Sequence, residues 1–198
     1  MLTTRLQPRP RPRPLLRLRG GGNAVFTDSF KKKKSKAAVS CVAQVEVSVS
    51  DSELAARGFA VRRSTSGLDV GALNEVFARV GFPRRQEERL RRALEHSEVV
   101  WLEEAGRPVA FARAAGDGVF NAVVWDVVVE PSCQGLGLGR AVMERLVGEL
   151  RAKGVSNIAL YAEPRVVGFY RLLGFAMDPD AIRGMAFYRS RQQQNTTS

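Results

Sequence analysis

Side chains that bind transition metals are scarce in this 198-residue chain: one His, His96, and two Cys, Cys41 and Cys133. The two thiols stand in unlike surroundings and without ligand spacing, which argues against a disulfide framework and a zinc site and fits a reducing compartment. No metal is expected. Long apolar runs are missing as well. No 18 consecutive uncharged apolar residues occur, so a membrane-spanning helix is not expected. Internal repeats are absent, and the length suits one domain, or one domain and a tail.

Negative charge is nearly absent from the start of the chain. Residues 1–45 hold eleven Lys and Arg against the single acid Asp28, whereas the other 153 residues hold 20 basic and 19 acidic side chains. The net charge of +11 therefore belongs almost wholly to the leader. The body offers no basic surface of the kind that follows a phosphate backbone, so no nucleic-acid partner is expected. The run Arg9-Pro10-Arg11-Pro12-Arg13-Pro14 forbids helix, because each proline lacks an N–H and clashes with the preceding turn. No apolar run of secretory length follows. Arginine-rich, acid-poor and scattered with hydroxyls, residues 1–45 are expected to be an organellar transit peptide, with Ala37–Ala43 as the processing region. The Lys31–Lys34 run leaves a nuclear signal and a plainly solvated stretch as other readings. The folded domain is expected over 46–190, and a polar tail over 191–198.

Periodicity divides the body into alternating elements. Gly58–Arg62 reads as a strand, and Leu68–Val80 as an amphipathic helix carrying Val70, Leu73, Val76, Phe77 and Val80 at helical spacing. A charged helix over Gln86–Glu95 follows. Val99–Glu103, Val109–Ala114 and Phe120–Val129 read as an antiparallel meander, with tight turns at Gly106-Arg107-Pro108 and Gly116-Asp117-Gly118. The next helix repeats Leu138, Val142, Leu146 and Leu150 at intervals of four and stops at Gly154. A strand over Asn157–Ala162, a helix over Arg165–Leu173, and strands beginning at Gly174 and covering Met185–Tyr188 complete the order. The pattern is an α/β (α+β) chain with a βαβ unit at its centre.

The most informative stretch is Val127-Val128-Val129-Glu130-Pro131-Ser132-Cys133-Gln134-Gly135-Leu136-Gly137-Leu138-Gly139-Arg140. A strand delivers the chain to a glycine-rich turn that opens a helix. Free N–H groups at a helix N-terminus, reinforced by the helix dipole, form an anion site, and the glycines let a diphosphate approach the backbone. A P-loop would need Gly-Lys-Ser/Thr where Gly139-Arg140-Ala141 stands. A dinucleotide fingerprint needs glycine where Arg140 stands, or a small residue where Val142 stands. Taken alone, the loop is also compatible with a ligand-free connection.

Gln134-x-x-Gly137-x-Gly139 resembles the acetyl-CoA loop of the GNAT superfamily of acetyltransferases, as does the strand ending at Pro131 that precedes it. A second motif is similar to theirs: Glu163-x-x-Val166-x-x-Phe169-Tyr170-Arg171-x-x-Gly174-Phe175, with Glu163 where many members have Asn and Val166 where many have Ala. The likeness covers about residues 58–190. Phe77–Arg85, Phe120–Val127 and Gly168-Phe169-Tyr170 resemble the plant and algal plastid branch, which includes plastid protein acetyltransferases and serotonin N-acetyltransferase-like enzymes.

The resemblance implies a mixed, mostly antiparallel sheet with helices on both faces. It also implies acetyl-CoA as cosubstrate, held by Val127, Val128, Val129, Gln134, Gly135, Leu136, Gly137, Leu138, Gly139, Arg140, Ala162 and Glu163. Tyr170 would protonate the leaving thiolate, since a phenol with pKa about 10 keeps its proton at neutral pH. Asp126 is the first candidate for the base and Glu163 the second. Arg140 and Arg145 would meet phosphates or face solvent. Phe77, Phe82, Arg84 and Arg85 would line the acceptor cleft or serve packing and solvation. His96 reads as a surface or capping residue and Cys133 as a bystander. The expected activity is acetylation of protein N-terminal α-amines or lysine ε-amines in the plastid. The alternatives are a small arylalkylamine such as serotonin as acceptor, and a CoA-binding regulatory module without turnover.

Overall fold

The computed structural model of the protein describes residues 47–177. The expected transit segment, the strand over Met185–Tyr188 and the tail over 191–198 lie outside the described residues. Within them the order is α1 (Asp51–Ala56), β1 (Phe59–Arg62), α2 (Val70–Arg79), α3 (Glu87–Glu95), β2 (Glu98–Glu104), β3 (Arg107–Gly116), β4 (Asn121–Val129), α4 (Leu138–Ala152), β5 (Asn157–Leu160) and α5 (Val167–Leu172). Single 3-10 turns at Pro131–Cys133 and Pro164–Val166 lead toward α4 and α5.

The strands form one sheet in the order β1-β2-β3-β4-β5, antiparallel except for the parallel β4–β5 pair. The parallel pair and the intervening α4 are the expected βαβ unit. Side-chain alternation sends Val100, Leu102, Ala112 and Ala114 to the face covered by α4 and α1, where Leu54, Val142 and Leu146 are fully buried. Val99, Trp101 and Phe111 go to the face covered by α2 and α3, against Leu73, Phe77 and Leu90. Each large side chain removed from water in this way contributes roughly 1.5–3 kcal/mol before the entropy of ordering is subtracted.

Three expectations change in detail. The first hairpin turns at Ala105-Gly106, both at positive φ, and Arg107 and Pro108 already belong to β3. Residues 174–177 follow α5 without forming a strand. The capped helix α1 was not expected. Ser50 accepts from the Glu53 N–H while the Glu53 side chain accepts from the Ser50 N–H, closing both ends of a capping box.

The feature that matters most lies inside β4. Asp126 has φ +55°, and the β3–β4 register slips between Phe111 and Arg113, so that Trp125 faces Arg113 but Val128 faces Phe111. This is a β-bulge: one residue more on β4 than on its partner. Because side chains alternate with period two, the extra residue inverts the pattern. Ala122 and Val124 point to the α4 face, whereas beyond the bulge Val128 joins the α2–α3 face and Val127 and Val129 take the α4 side.

Candidate active site

β5 pairs with β4 only from Asn121↔Asn157 to Val124↔Leu160. Past that point β4 continues through Val129 with no strand on its outer side among the described residues. The Glu130 N–H donates to the Val109 carbonyl at 2.7 Å, on the β3 side. By alternation Val128 shares that side, and Val127 and Val129 turn their main-chain groups to the open edge. An extended chain of amides could pair there as a further strand would.

The open edge runs to the glycine-rich loop. Gly135 and Gly137 have φ +79° and +80°, and a Cβ built on either would meet nothing within 4 Å. Gly137 is the residue that caps α4, and no side chain caps the helix. The N–H groups of residues 135–140 donate to no backbone acceptor among the described residues, and the first helical bond runs from Ala141 to Gly137 at 3.0 Å. A row of unoccupied donors at the positive end of a fifteen-residue helix fits a diphosphate. Gly139 is different. A Cβ there would lie 3.2 Å from Val129 Cγ2 and 3.7 Å from Phe169 Cζ, so its small size also lets α4 pack against β4 and α5. Gln134 turns its side chain inward, and its Nε2 donates to the Val129 carbonyl at 3.1 Å, pinning the loop to the strand.

Two adjoining clefts flank this edge, and they share Val127, Val128, Val129, Gln134, Val166 and Tyr170. One, of about 530 Å3, is bounded by the loop and α5: Gly135, Gly137, Leu138, Gly139, Arg140 and Phe169. The other, of about 830 Å3, is bounded by side chains of α2, β4 and the segment after β5: Arg79, Phe82, Trp125, Asp126, Tyr161, Glu163 and Arg165. Tyr170 borders both. Its ring stands edge-on to Phe169, 5.0 Å between centroids, and to Phe175, at 6.1 Å. Burial among these rings pushes its phenol above the ordinary value of 10.0, which keeps the hydroxyl protonated.

Most of the residues expected from the sequence gather here. Among the expected cofactor residues, Val127–Val129, Gln134, Gly135 and Gly137–Arg140 line the smaller cleft. Leu136 is exposed and Ala162 half-buried, and neither lines a cleft, while Glu163 lines the larger one. Arg140 sits at the loop, with its Nε donating to Glu144 at 2.6 Å. Arg145 is a correction. It is 4% exposed and donates to Asp51, the Val49 carbonyl and the Ala141 carbonyl, so it faces neither phosphate nor solvent. Phe77 is core, whereas Phe82 lines the larger cleft. Arg84 pairs with Glu75, and exposed His96 ends α3.

Asp126 borders the larger cleft with both carboxylate oxygens occupied. Arg113 Nε donates to one at 2.6 Å, and Arg85 donates to both. The Asp126 side chain is 4% exposed, and burial makes the ion pairs mutually necessary. Beside it the rings of Trp125 and Tyr161 meet at a 40° tilt, 5.8 Å between centroids, 42% and 65% exposed. Glu163 is exposed and pairs with Arg165 at 2.7 Å. The triad and the aromatic pair were missed, because each joins residues far apart in the chain and no local spacing announces it.

Comparison with known proteins identifies the family. Residues 69–175 match the model of the acetyltransferase (GNAT) family. The chain is 92% identical over 154 residues to a rice protein named serotonin N-acetyltransferase 2, chloroplastic, covering 75% of this chain and 77% of that one. It is 58% identical over 150 residues to the Arabidopsis thaliana protein named GCN5-related N-acetyltransferase 1, chloroplastic, covering 74% and 76%. Among solved structures, an acetyltransferase of the same family from Xanthomonas campestris superposes with a TM-score of 0.57 at 25% identity, over 65% of this chain and 93% of that one.

Proposed function

The chain belongs to the GNAT family of acetyltransferases, and from that premise we propose that it acetylates the primary amine of an arylalkylamine, serotonin being the type, in the plastid. The observation that carries this reading is the adjacent Trp125–Tyr161 pair, two large rings tilted against each other and left exposed in the cleft that adjoins the open edge of β4. An indole laid against that pair would bury apolar surface on both partners and bring its ethylamine arm toward Tyr170. The name of the rice relative supports the acceptor class, and the names of the rice and Arabidopsis relatives support the compartment.

Members of this family take the acetyl group from acetyl-CoA, whose thioester supplies an activated acyl carbon. The residues present fit it. Free N–H groups at 135–140 receive the diphosphate, and the outward main-chain groups of Val127 with the Val129 N–H receive the amide-bearing arm, the Val129 carbonyl being held by Gln134. A Val127 or Val129 N–H then donates to the thioester oxygen as negative charge develops there, an effect typically worth about 3 kcal/mol of barrier. The neutral amine attacks the acyl carbon, the carbon–sulfur bond breaks, and Tyr170 gives its proton to the departing sulfur. The amine sheds one proton through water to Glu163, which is exposed in the cleft. Glu163 then releases that proton to solvent and the Tyr170 phenolate takes one up, restoring both groups. Asp126 plays a different part. Its side chain is buried and both of its oxygens are taken up by two arginines, so it fixes the bulge rather than accepting a proton.

A second reading is favoured by the breadth of the larger cleft, about 830 Å3 and open to solvent along Tyr161 and Glu163, which would admit a peptide terminus or a lysine. One experiment separates the two. The purified protein is incubated with acetyl-CoA, serotonin and a peptide mixture in competition, and products are read by mass spectrometry. N-acetylserotonin as the dominant product supports the first reading. Acetylated peptides alone would replace it with the second, and no acetylated amine would remove both.

A further inference from the structure

The glycine loop is held from outside the motif that contains it. Arg57, the residue that ends α1, extends its Nη2 to the Leu136 carbonyl and donates at 2.8 Å, across 79 positions of chain. Its guanidinium carbon lies 5.6 Å from the centroid of the Phe59 ring, which supports the side chain from below. The helix behind it is fixed in turn. Leu54 is fully buried beneath α4, and Arg145 of α4 donates to Asp51 and to the Val49 carbonyl. Ser48 donates through its N–H and hydroxyl to Glu144, the same carboxylate that receives Arg140. Residues 48–57 thus brace both the loop and the helix it opens, although they precede the stretch matched by the family model, which begins at residue 69.

The geometry points to Arg57 as a positioning residue for the diphosphate. A peptide unit has its carbonyl and its N–H on opposite sides. Drawing the Leu136 carbonyl toward Arg57 therefore aims the Gly137 N–H, which belongs to the same peptide unit, the opposite way. The two neighbouring glycines at positive φ leave the loop freer to turn than most, so an external tether restricts motion that the loop's own residues do not. The guanidinium also counters the negative end of that carbonyl, which would otherwise oppose a phosphate nearby. The contact is made at the loop, and neither Arg57 nor Leu136 lines the acceptor cleft, so its effect is expected on phosphate binding. This inference rests on the assignment of acetyl-CoA to the loop.

The test compares acetyl-CoA with S-acetyl-N-acetylcysteamine, a thioester with no phosphates, in wild type, Arg57→Ala and Arg57→Lys, with serotonin or the best peptide as acceptor. For Arg57→Ala the KM for acetyl-CoA should rise about tenfold, the scale of one charge-assisted hydrogen bond. The kcat, the melting temperature and kcat/KM on the short thioester should stay at wild-type values, and Arg57→Lys should restore part of the affinity. An unchanged acetyl-CoA KM in Arg57→Ala would overturn the inference. So would a parallel loss on both thioesters accompanied by a lower melting temperature, which would make Arg57 a fold-stabilising residue. Wild-type enzyme that shows no preference for acetyl-CoA over the short thioester would instead remove the diphosphate from the loop, and this inference with it.

Discussion

The two clefts beside β4 are lined by different parts of the polypeptide. The smaller one presents main chain: N–H groups freed by glycine geometry and by the end of a helix. The larger one presents side chains: a buried aspartate between two arginines, a tilted aromatic pair and an exposed glutamate. Main-chain recognition depends on conformation, so few sequences satisfy it and those that do look alike. Side-chain recognition can be rebuilt residue by residue. A cosubstrate common to a family and an acceptor that varies among its members are what this division allows.

That contrast can be broken most decisively at Tyr170, which belongs to both sides. Tyr170→Phe should lower kcat by about a hundredfold or more, the usual scale of a lost general acid, while the KM for acetyl-CoA stays unchanged. Because burial raises the phenol's pKa above 10.0, the wild-type rate should hold to alkaline pH and fall only above that value. The variant should lack that alkaline limb. Wild-type turnover in Tyr170→Phe would assign the proton to another donor.

A smaller effect is expected on the main-chain side. Gly137→Val forces a β-branched residue to φ +80°, a conformation that costs a residue with a Cβ roughly 1–2 kcal/mol, so the acetyl-CoA KM should rise about tenfold. The acceptor KM should not move. Isothermal titration with CoA reads the same change without turnover, and an unaltered dissociation constant would separate the loop from the cofactor.

The smallest effect belongs to the side-chain side. Trp125→Ala removes half of the aromatic pair and should raise the KM for an arylalkylamine about threefold to tenfold, in line with the worth of one aromatic contact. Acetyl-CoA kinetics should be those of wild type. If Trp125→Ala weakened both substrates equally, the two clefts would not be independent.

What could be read in advance follows the same line. The loop was legible because its constraint is local: glycines at fixed intervals after an apolar strand and before residues repeating every fourth position. Helix α4 was legible for its period, and Leu138, Val142, Leu146 and Leu150 are all buried. The bulge at Asp126 was hidden by the apolar run on either side of it, since Val123, Val124 and Val127–Val129 would read the same in either phase. Helix α1 was overlooked because only Leu54 is buried in it, although Ser50 and Glu53 carry the spacing of a capping box. The partners of Arg57, Arg85 and Arg145 lie beyond any local window, and only the fold brings them together.

The single surplus residue at position 126 divides β4 into two short pieces that run out of phase by one. Residues 121–124 behave as ordinary sheet, and residues 127–129 line both clefts. In the proposed complex their valines would present to the cosubstrate the sides that an unbroken strand would have turned the other way. Amino-acid exchanges on either piece can therefore tune the protein gradually, whereas losing or gaining one residue between them would point the whole binding edge at the wrong layer of the molecule.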